Sequence, residues 1–372
     1  MEVVVERRKN AFTLIELLVV IAIIALLIGI LLPALGQAQR SAKNVLSQSN
    51  QRSLNTGAAN YAADNKDRIF SYSWRGGESY ILADGRTKVE PTDTAAAMRQ
   101  NQEILQRVTG RTDGEYKIKN FAGRLPHRRY SHLVLLDFLT DVQPEPIAAS
   151  PFDRNLFDWQ DNPLEYREGS TVPYANDVPD NYEPSGQWAN DNIRQRWPFA
   201  STYQMVPAAW NPDGLANQPT WSPVEETPHL FAALGDEEDI KVGRRKMTQV
   251  AHTSGKVMMF EEFDRFSDKD GLYFAYPEAK PNLAFFDGSV RSENTSDCNA
   301  GWNPADPTTE WAQIYRPLDT FPEPKNGLEE NTDRYCQRFR WTRRGLQGID
   351  YGGRDIGRRA AQLEDDPTCL NP

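Results

Sequence analysis

RRKNAFTLIELLVVIAIIALLIGILLPAL, residues 7–35, decides how this chain is read. From Phe12 to Leu32 every side chain is apolar, glycine or alanine, except Thr13 and Glu16. At the rise of an α-helix that run spans about the 30 Å of a bilayer's hydrocarbon core. Arg7, Arg8 and Lys9 stand just before it, separated only by Asn10 and Ala11, so the positive-inside bias keeps residues 1–10 in the cytoplasm and sends the remainder outside. The run exceeds the roughly 7 to 15 apolar residues of an ordinary secretory signal, which argues against cleavage around Ala34-Leu35-Gly36.

Glu16 is the informative exception. A carboxylate at bilayer depth costs roughly 2.5 to 3.5 kcal/mol, less near the headgroups, so something must compensate it. Thr13-Leu14-Ile15-Glu16 has the S/T-x-x-E spacing of a capping box, which satisfies the free N–H groups of a helix start. A positive partner at the same depth would serve equally. A cut between Ala11 and Phe12 would create one, because the new α-amino group of Phe12 would lie beside Glu16 of its own or a neighbouring subunit.

Arg8-Lys9-Asn10-Ala11-Phe12-Thr13-Leu14-Ile15-Glu16 followed by the apolar run resembles the class III signal of type IV pilins and type II secretion pseudopilins. The resemblance implies a prepilin peptidase/methyltransferase that cuts before Phe12 and methylates its amine. It implies Glu16 as the assembly glutamate, an inner-membrane location, and partnership with other pilin-like subunits in a homo- or hetero-filament. The family usually has Gly before the cut, where this chain has Ala11. Pro33 lacks an N–H for the carbonyl of Gly29, and Gly29 itself weakens a helix. The pair marks a local soft point at the membrane exit, either an ordinary proline kink tolerated in a membrane helix or, as the resemblance implies, a place where the family's packed helix can extend.

Beyond Pro33 the residues Leu35, Ala38, Ala42, Val45, Leu46, Leu54, Ala58, Tyr61 and Ala62 recur near helical spacing, with Gln, Ser and Asn between them. The spacing predicts one helix from about Phe12 to about Asp64, ended by the charged Asp64-Asn65-Lys66-Asp67-Arg68. The chain thus divides into a leader (1–11), a transmembrane helix (12–32), an amphipathic stem (33–66) and a periplasmic or extracellular head (67–372). Within the head, Tyr80–Val89 predicts two short strands around Asp84-Gly85, Thr94–Val108 a helix, and Ser131–Leu139 a short apolar element. Residues of about 140–235, dense in proline, Asn, Asp and Trp, predict an irregular insertion. Lys256–Phe260, Leu272–Tyr276 and Asn282–Arg291 predict an antiparallel meander, with Asp287-Gly288 as a hairpin turn. The last stretch also resembles the C-terminal motif of large pilin-like proteins, in which a His precedes the Asp-Gly by ten positions. Pro277 stands there in this chain.

The fold class expected is therefore α+β: a long N-terminal transmembrane/amphipathic helix packed on an antiparallel β-sheet head with a loop-rich insertion. The formal net charge of −10 makes nucleic acid an unfavourable partner, and 39% hydrophobic residues are enough to bury a core. No catalytic triad order, phosphate loop or zinc-spaced cysteine pair is present, so no catalytic residue, metal or cofactor is expected. Glu261, Glu262, Asp264, Asp268 and Asp270 suggest a solvated acidic turn with a faint calcium-loop look. His127 and His132 miss the i,i+4 spacing of a helical metal pair. Cys298, Cys336 and Cys369 allow one disulfide with one thiol left over. The tryptophans Trp159, Trp188, Trp197, Trp210 and Trp221 favour a core role, and they carry an alternative: a membrane-anchored adhesin or glycan-binding protein on the same anchor. The Arg- and aromatic-rich tail from Tyr335 to Arg359 suggests ion pairs and stacking on the acidic head or on a neighbour.

Overall fold

One helix, α1, runs unbroken from Leu14 to Asp64 in the computed structural model. The structure describes residues 13–114, 116–118, 130–140, 142–164, 197–209, 221–224, 227–233, 243–261, 263–267, 272–301, 314–315, 335–336, 338–342 and 344–354. The chain separates into two units, Met1–Val45 and Leu46–Pro372.

In the first unit α1 carries a window of mean hydropathy 3.2, none of it buried in the protein. Leu26, Leu31 and Leu32 are 65, 63 and 68% exposed. By length and composition this helix is able to cross a membrane. Pro33 sits within it and the helix continues past it, so the carbonyl of Gly29 has no proline N–H to receive.

The second unit is α+β. In chain order it contains β1 (Ser79–Ile81), β2 (Thr87–Val89), α2 (Asp93–Thr109), α3 (Arg154–Asp161), β3 (Tyr203–Met205), β4 (Trp221–Val224), β5 (Thr227–Ala233), β6 (Val257–Glu261), β7 (Phe263–Asp264), β8 (Leu272–Tyr273), β9 (Asn282–Phe285), β10 (Val290–Ser292), β11 (Ile314–Tyr315) and β12 (Tyr335–Cys336). Its centre is a four-stranded antiparallel sheet in the order β10-β9-β6-β3; the other strands form two-stranded ribbons. β1 and β2 make the expected hairpin around Asp84-Gly85. α2 covers the predicted helix, its Thr92 cap accepting the N–H of Ala95 at 3.1 Å. The apolar element at Ser131–Phe138 is a 3-10 helix.

Every residue of β6 and β9 is buried, because both sheet faces are covered. Tyr203, Glu261 and Asn282 turn towards α1, whose Ser47 and Gln48 they meet. Phe260 turns the other way, its ring 5.1 Å from those of Phe274 and Phe339, and Phe285 lies 6.0 Å from Tyr351. Leu54, Ala58 and Tyr61 of α1 join Met259, Phe260 and Phe285 in one core. A second core gathers Leu105, Tyr130, Leu133, Leu156, Trp159 and Phe199.

Three expectations change. The face of α1 that packs is Ser47, Asn50, Gln51, Leu54, Asn55, Gly57, Ala58, Tyr61 and Ala62, whereas Val45 and Leu46 are 66 and 52% exposed. The amides, expected on the outer face, lie inward because backbone carbonyls there need donors: Gln51 Nε2 reaches Asn282 O (3.3 Å), Asn55 Nδ2 reaches Phe285 O (3.3 Å) and Asn50 Nδ2 reaches Ala149 O (3.0 Å). Next, the Pro-rich stretch is not wholly irregular, since it supplies α3 and β3, and β3 pairs with β6 through Tyr203↔Glu261 and Met205↔Met259. A three-residue strand is too short for alternation to announce it. Finally, Leu272–Tyr273 leaves the main sheet to pair with Phe263–Asp264, so β6 meets β9 directly, Val257 opposite Phe285 and Phe260 opposite Leu283.

Glu261 closes the contact between α1 and the sheet. Its buried Oε1 accepts the Ser47 hydroxyl, which also lies 2.9 Å from the Tyr203 hydroxyl, while Asn282 Nδ2 stands 3.5 Å away. Burial pushes its carboxyl above the usual range, opposed by the Ser47 hydroxyl and the positive charge of Arg265, and Asp264 adds to the upward push. Tyr203 is likewise pushed well up, by burial and then by Glu261. Arg265 is held at 3.7 Å by Asp153, whose Oδ2 also accepts the Thr202 hydroxyl at 2.9 Å.

Every buried residue described lies at or beyond Ser47. A chain beginning at residue 37 is therefore expected to be soluble and to give a cooperative denaturant transition; precipitation from mild buffer would contradict this core assignment. In the same chain Glu261 should leave a pH signature. A raised acid pKa adds stability that is complete below its ordinary value of 4.5 and is lost as pH rises through the folded value. Urea unfolding across that range should show the parent losing stability relative to Glu261→Gln as pH increases, whereas a pH-independent difference would mean that this carboxyl does not titrate there.

Candidate assembly site

At the start of α1 the Thr13 N–H donates to Glu16 Oε2 at 2.9 Å, the Thr13 hydroxyl donates to the same oxygen at 2.8 Å, and the Glu16 N–H returns to Thr13 Oγ1 at 3.3 Å. This is a reciprocal capping box. The spacing that suggested it is thus realised within a single chain. The cap occupies one carboxylate oxygen, Oε2, and among the described residues Oε1 of Glu16 receives no hydrogen bond. Both residues are exposed, and a negative group in the first turn also suits the helix dipole. Ala11 and Phe12 lie outside the described residues; Gly29 and Pro33 lie on the exposed apolar part of α1.

Asp287 and Gly288 form the turn between β9 and β10. Asp287 Oδ1 accepts the N–H and hydroxyl of Ser289 at 2.9 and 2.6 Å, and Gly288 takes φ +87°, where a Cβ would be strained. The Asp287 N–H donates to Thr253 O at 3.1 Å, and Arg291 spreads its guanidinium 3.5 Å over the Phe285 ring. These contacts give the Asp-Gly a structural use as a hairpin corner. Pro277, ten positions before Asp287, supplies its carbonyl to the Ser296 N–H at 3.2 Å.

The acidic stretch does not behave as one turn. Glu261 ends a buried strand, and Asp264 is buried, its carboxylate accepting N–H groups of Phe266 (3.1 Å), Ser267 (2.8 Å) and Lys280 (2.8 Å). The apolar run of β6 carries Glu261 inward, which a local count of acids misses. Glu262, Asp268 and Asp270 lie outside the described residues, and among the described ones no group of His, Cys, Asp and Glu is arranged to hold a metal. His132 is buried in the Ser131–Phe138 helix, and His127 lies outside the described residues.

Cys298 is a buried free thiol, its Sγ 3.3 Å from Asn299 O, and burial pushes its pKa up. The Cys336 side chain and Cys369 lie outside the described residues. Trp159 packs in the second core; Trp188 and Trp210 and the side chains of Trp197 and Trp221 lie outside the described residues. In the tail, Arg338 and Arg340 are buried, Arg338 donating to Cys298 O at 2.9 Å and Arg340 lying 5.8 Å over Phe274.

No curated protein and no solved structure matches the chain. Residues 7–32 match the family described as the prokaryotic N-terminal methylation motif, a span that contains Ala11, Phe12, Thr13, Glu16 and Gly29 and stops just before Pro33.

Proposed function

We propose that this chain is a non-catalytic, pilin-like subunit of a type II secretion pseudopilus or type IV pilus-like filament. The observation that carries the proposal is the methylation-motif match over residues 7–32, coinciding with the start of a helix whose apolar side chains are exposed and whose capping carboxylate is engaged through Oε2. In this reading a prepilin peptidase/methyltransferase removes residues 1–11 and methylates Phe12. Residues 12–32 hold the chain in the inner membrane, residues 33–66 form the stem, and the head lies on the periplasmic or outer side.

Capping and assembly are then compatible. Oε2 of Glu16 keeps the Thr13 cap while Oε1 receives the Phe12 amine of a neighbouring subunit. That contact neutralises two charges at bilayer depth and sets the register in which the apolar helices pack. Gly29 and Pro33 supply the place where such a helix would stretch. The glycan-binding alternative draws no support from Trp159, which is buried.

Two measurements test the reading. Mass spectrometry of the mature protein should find its N-terminus at methylated Phe12; a mature chain that still begins at Met1, or one that begins at Gln37, would overturn it. Glu16→Gln preserves a side chain able to cap Thr13 while removing the charge, and should be inserted and cleaved normally yet fail to enter filaments or to crosslink between subunits. The lost pairing leaves a buried ammonium, a cost of roughly 3 to 5 kcal/mol in a dry setting and less near headgroups. Wild-type assembly by that variant would reduce Glu16 to a helix cap.

A further inference from the structure

Lys256, immediately before β6, meets Asp350 of the C-terminal segment. Their side chains are 0 and 2% exposed, and Lys256 Nζ lies 2.9 Å from Asp350 Oδ2. Two more groups complete the contact. The Val257 N–H donates to Oδ2 at 2.8 Å, and the Thr342 hydroxyl accepts from Lys256 Nζ while donating to Oδ1 at 2.6 Å. The backbones are pressed together behind the pair: the N–H groups of Asp350 and Tyr351 both donate to Gly255 O at 2.9 and 3.0 Å. A Cβ on Gly255 would stand 2.3 Å from Tyr351 O. Tyr351, the residue after Asp350, packs its ring 6.0 Å from that of Phe285 and 6.4 Å from that of Phe339.

A charged pair so enclosed is desolvated on both sides, which favours any chemistry that removes the charges. The arrangement supplies a nucleophile, a carbonyl carbon, an N–H aimed at one carboxyl oxygen and a hydroxyl bridging the amine to the other. We propose that Lys256 and Asp350 become joined by an intramolecular isopeptide bond. A proton passes from the Lys256 ammonium through the Thr342 hydroxyl to Oδ1. The neutral amine then attacks Cγ of Asp350, and the Val257 N–H stabilises the negative charge that develops on Oδ2. A second proton from nitrogen reaches Oδ1, the Cγ–Oδ1 bond breaks, and Oδ1 leaves as water. The ammonium and carboxylate are converted to one amide and one water, with no oxidant, metal or other reactant. Oδ2 remains as the amide oxygen on the Val257 N–H, and the C-terminal segment becomes covalently tied to β6.

Peptide mass spectrometry on the full chain, purified in detergent and digested with trypsin, tests this. Cleavage after Lys256 should be blocked. Residues 247–265 and 345–354 should be recovered as one branched species, lighter by one water than the two peptides together, and Lys256→Met should abolish that species. Recovery of the two peptides separately, with the chain cut between Lys256 and Val257, would overturn the proposal. A water loss confined to a single unbranched peptide, as succinimide formation gives, would overturn it equally.

Discussion

Side-chain amides and hydroxyls of α1, set against the carbonyls of β9 and the buried carboxyl of Glu261, determine where the helix lies on the sheet. An apolar helix face tolerates sliding by small steps, because dispersion contacts are non-directional and replaceable. Gln51 on Asn282 O and Asn55 on Phe285 O tolerate none. Each hydrogen bond contributes only about 0.5 to 1.5 kcal/mol when made, whereas a buried donor or acceptor left unmade costs about 1 to 3 kcal/mol. A shift of one residue would strand several at once. Leu54, Ala58 and Tyr61 add cohesion, and the polar pairs choose the register.

The same contact explains the reach of β3. Tyr203 meets both Ser47 of α1 and, across the strand pair, Glu261. Helix, central strand and edge strand thus share one polar knot, although Ser47 and Glu261 are 214 positions apart in the chain. Opposite this knot, Phe260 packs against Phe339 and Phe285 against Tyr351, so the two faces of the sheet are secured by unlike means: a network of mixed polar groups on one, aromatic rings on the other.

Much of this was legible in the residues because it depends on local pattern. Thr13 and Glu16 announced the cap, Asp287-Gly288 the hairpin corner, Thr94 to Val108 the helix, and the apolar run the long N-terminal element. What escaped depends on contacts distant in sequence. Asn50, Gln51 and Asn55 read as a solvated face until the carbonyls they satisfy are placed beside them. Glu261 reads as one of several clustered acids until β6 carries it under α1. Tyr203-Gln204-Met205, flanked by proline-rich chain, gains its strand character from β6 alone. Asp350 carries no local signal at all, for a lone aspartate between isoleucine and tyrosine says nothing of a lysine 94 positions earlier.

The main sheet begins and ends with strands of three residues, β3 and β10. A long open edge offers a ladder of free N–H and carbonyl groups on which another molecule's strand can grow, a hazard wherever copies are crowded. Three residues provide too few rungs for such templating. Molecules concentrated side by side on a membrane surface would therefore resist indiscriminate sheet-to-sheet polymerisation, and ordered association would fall to other surfaces of the protein.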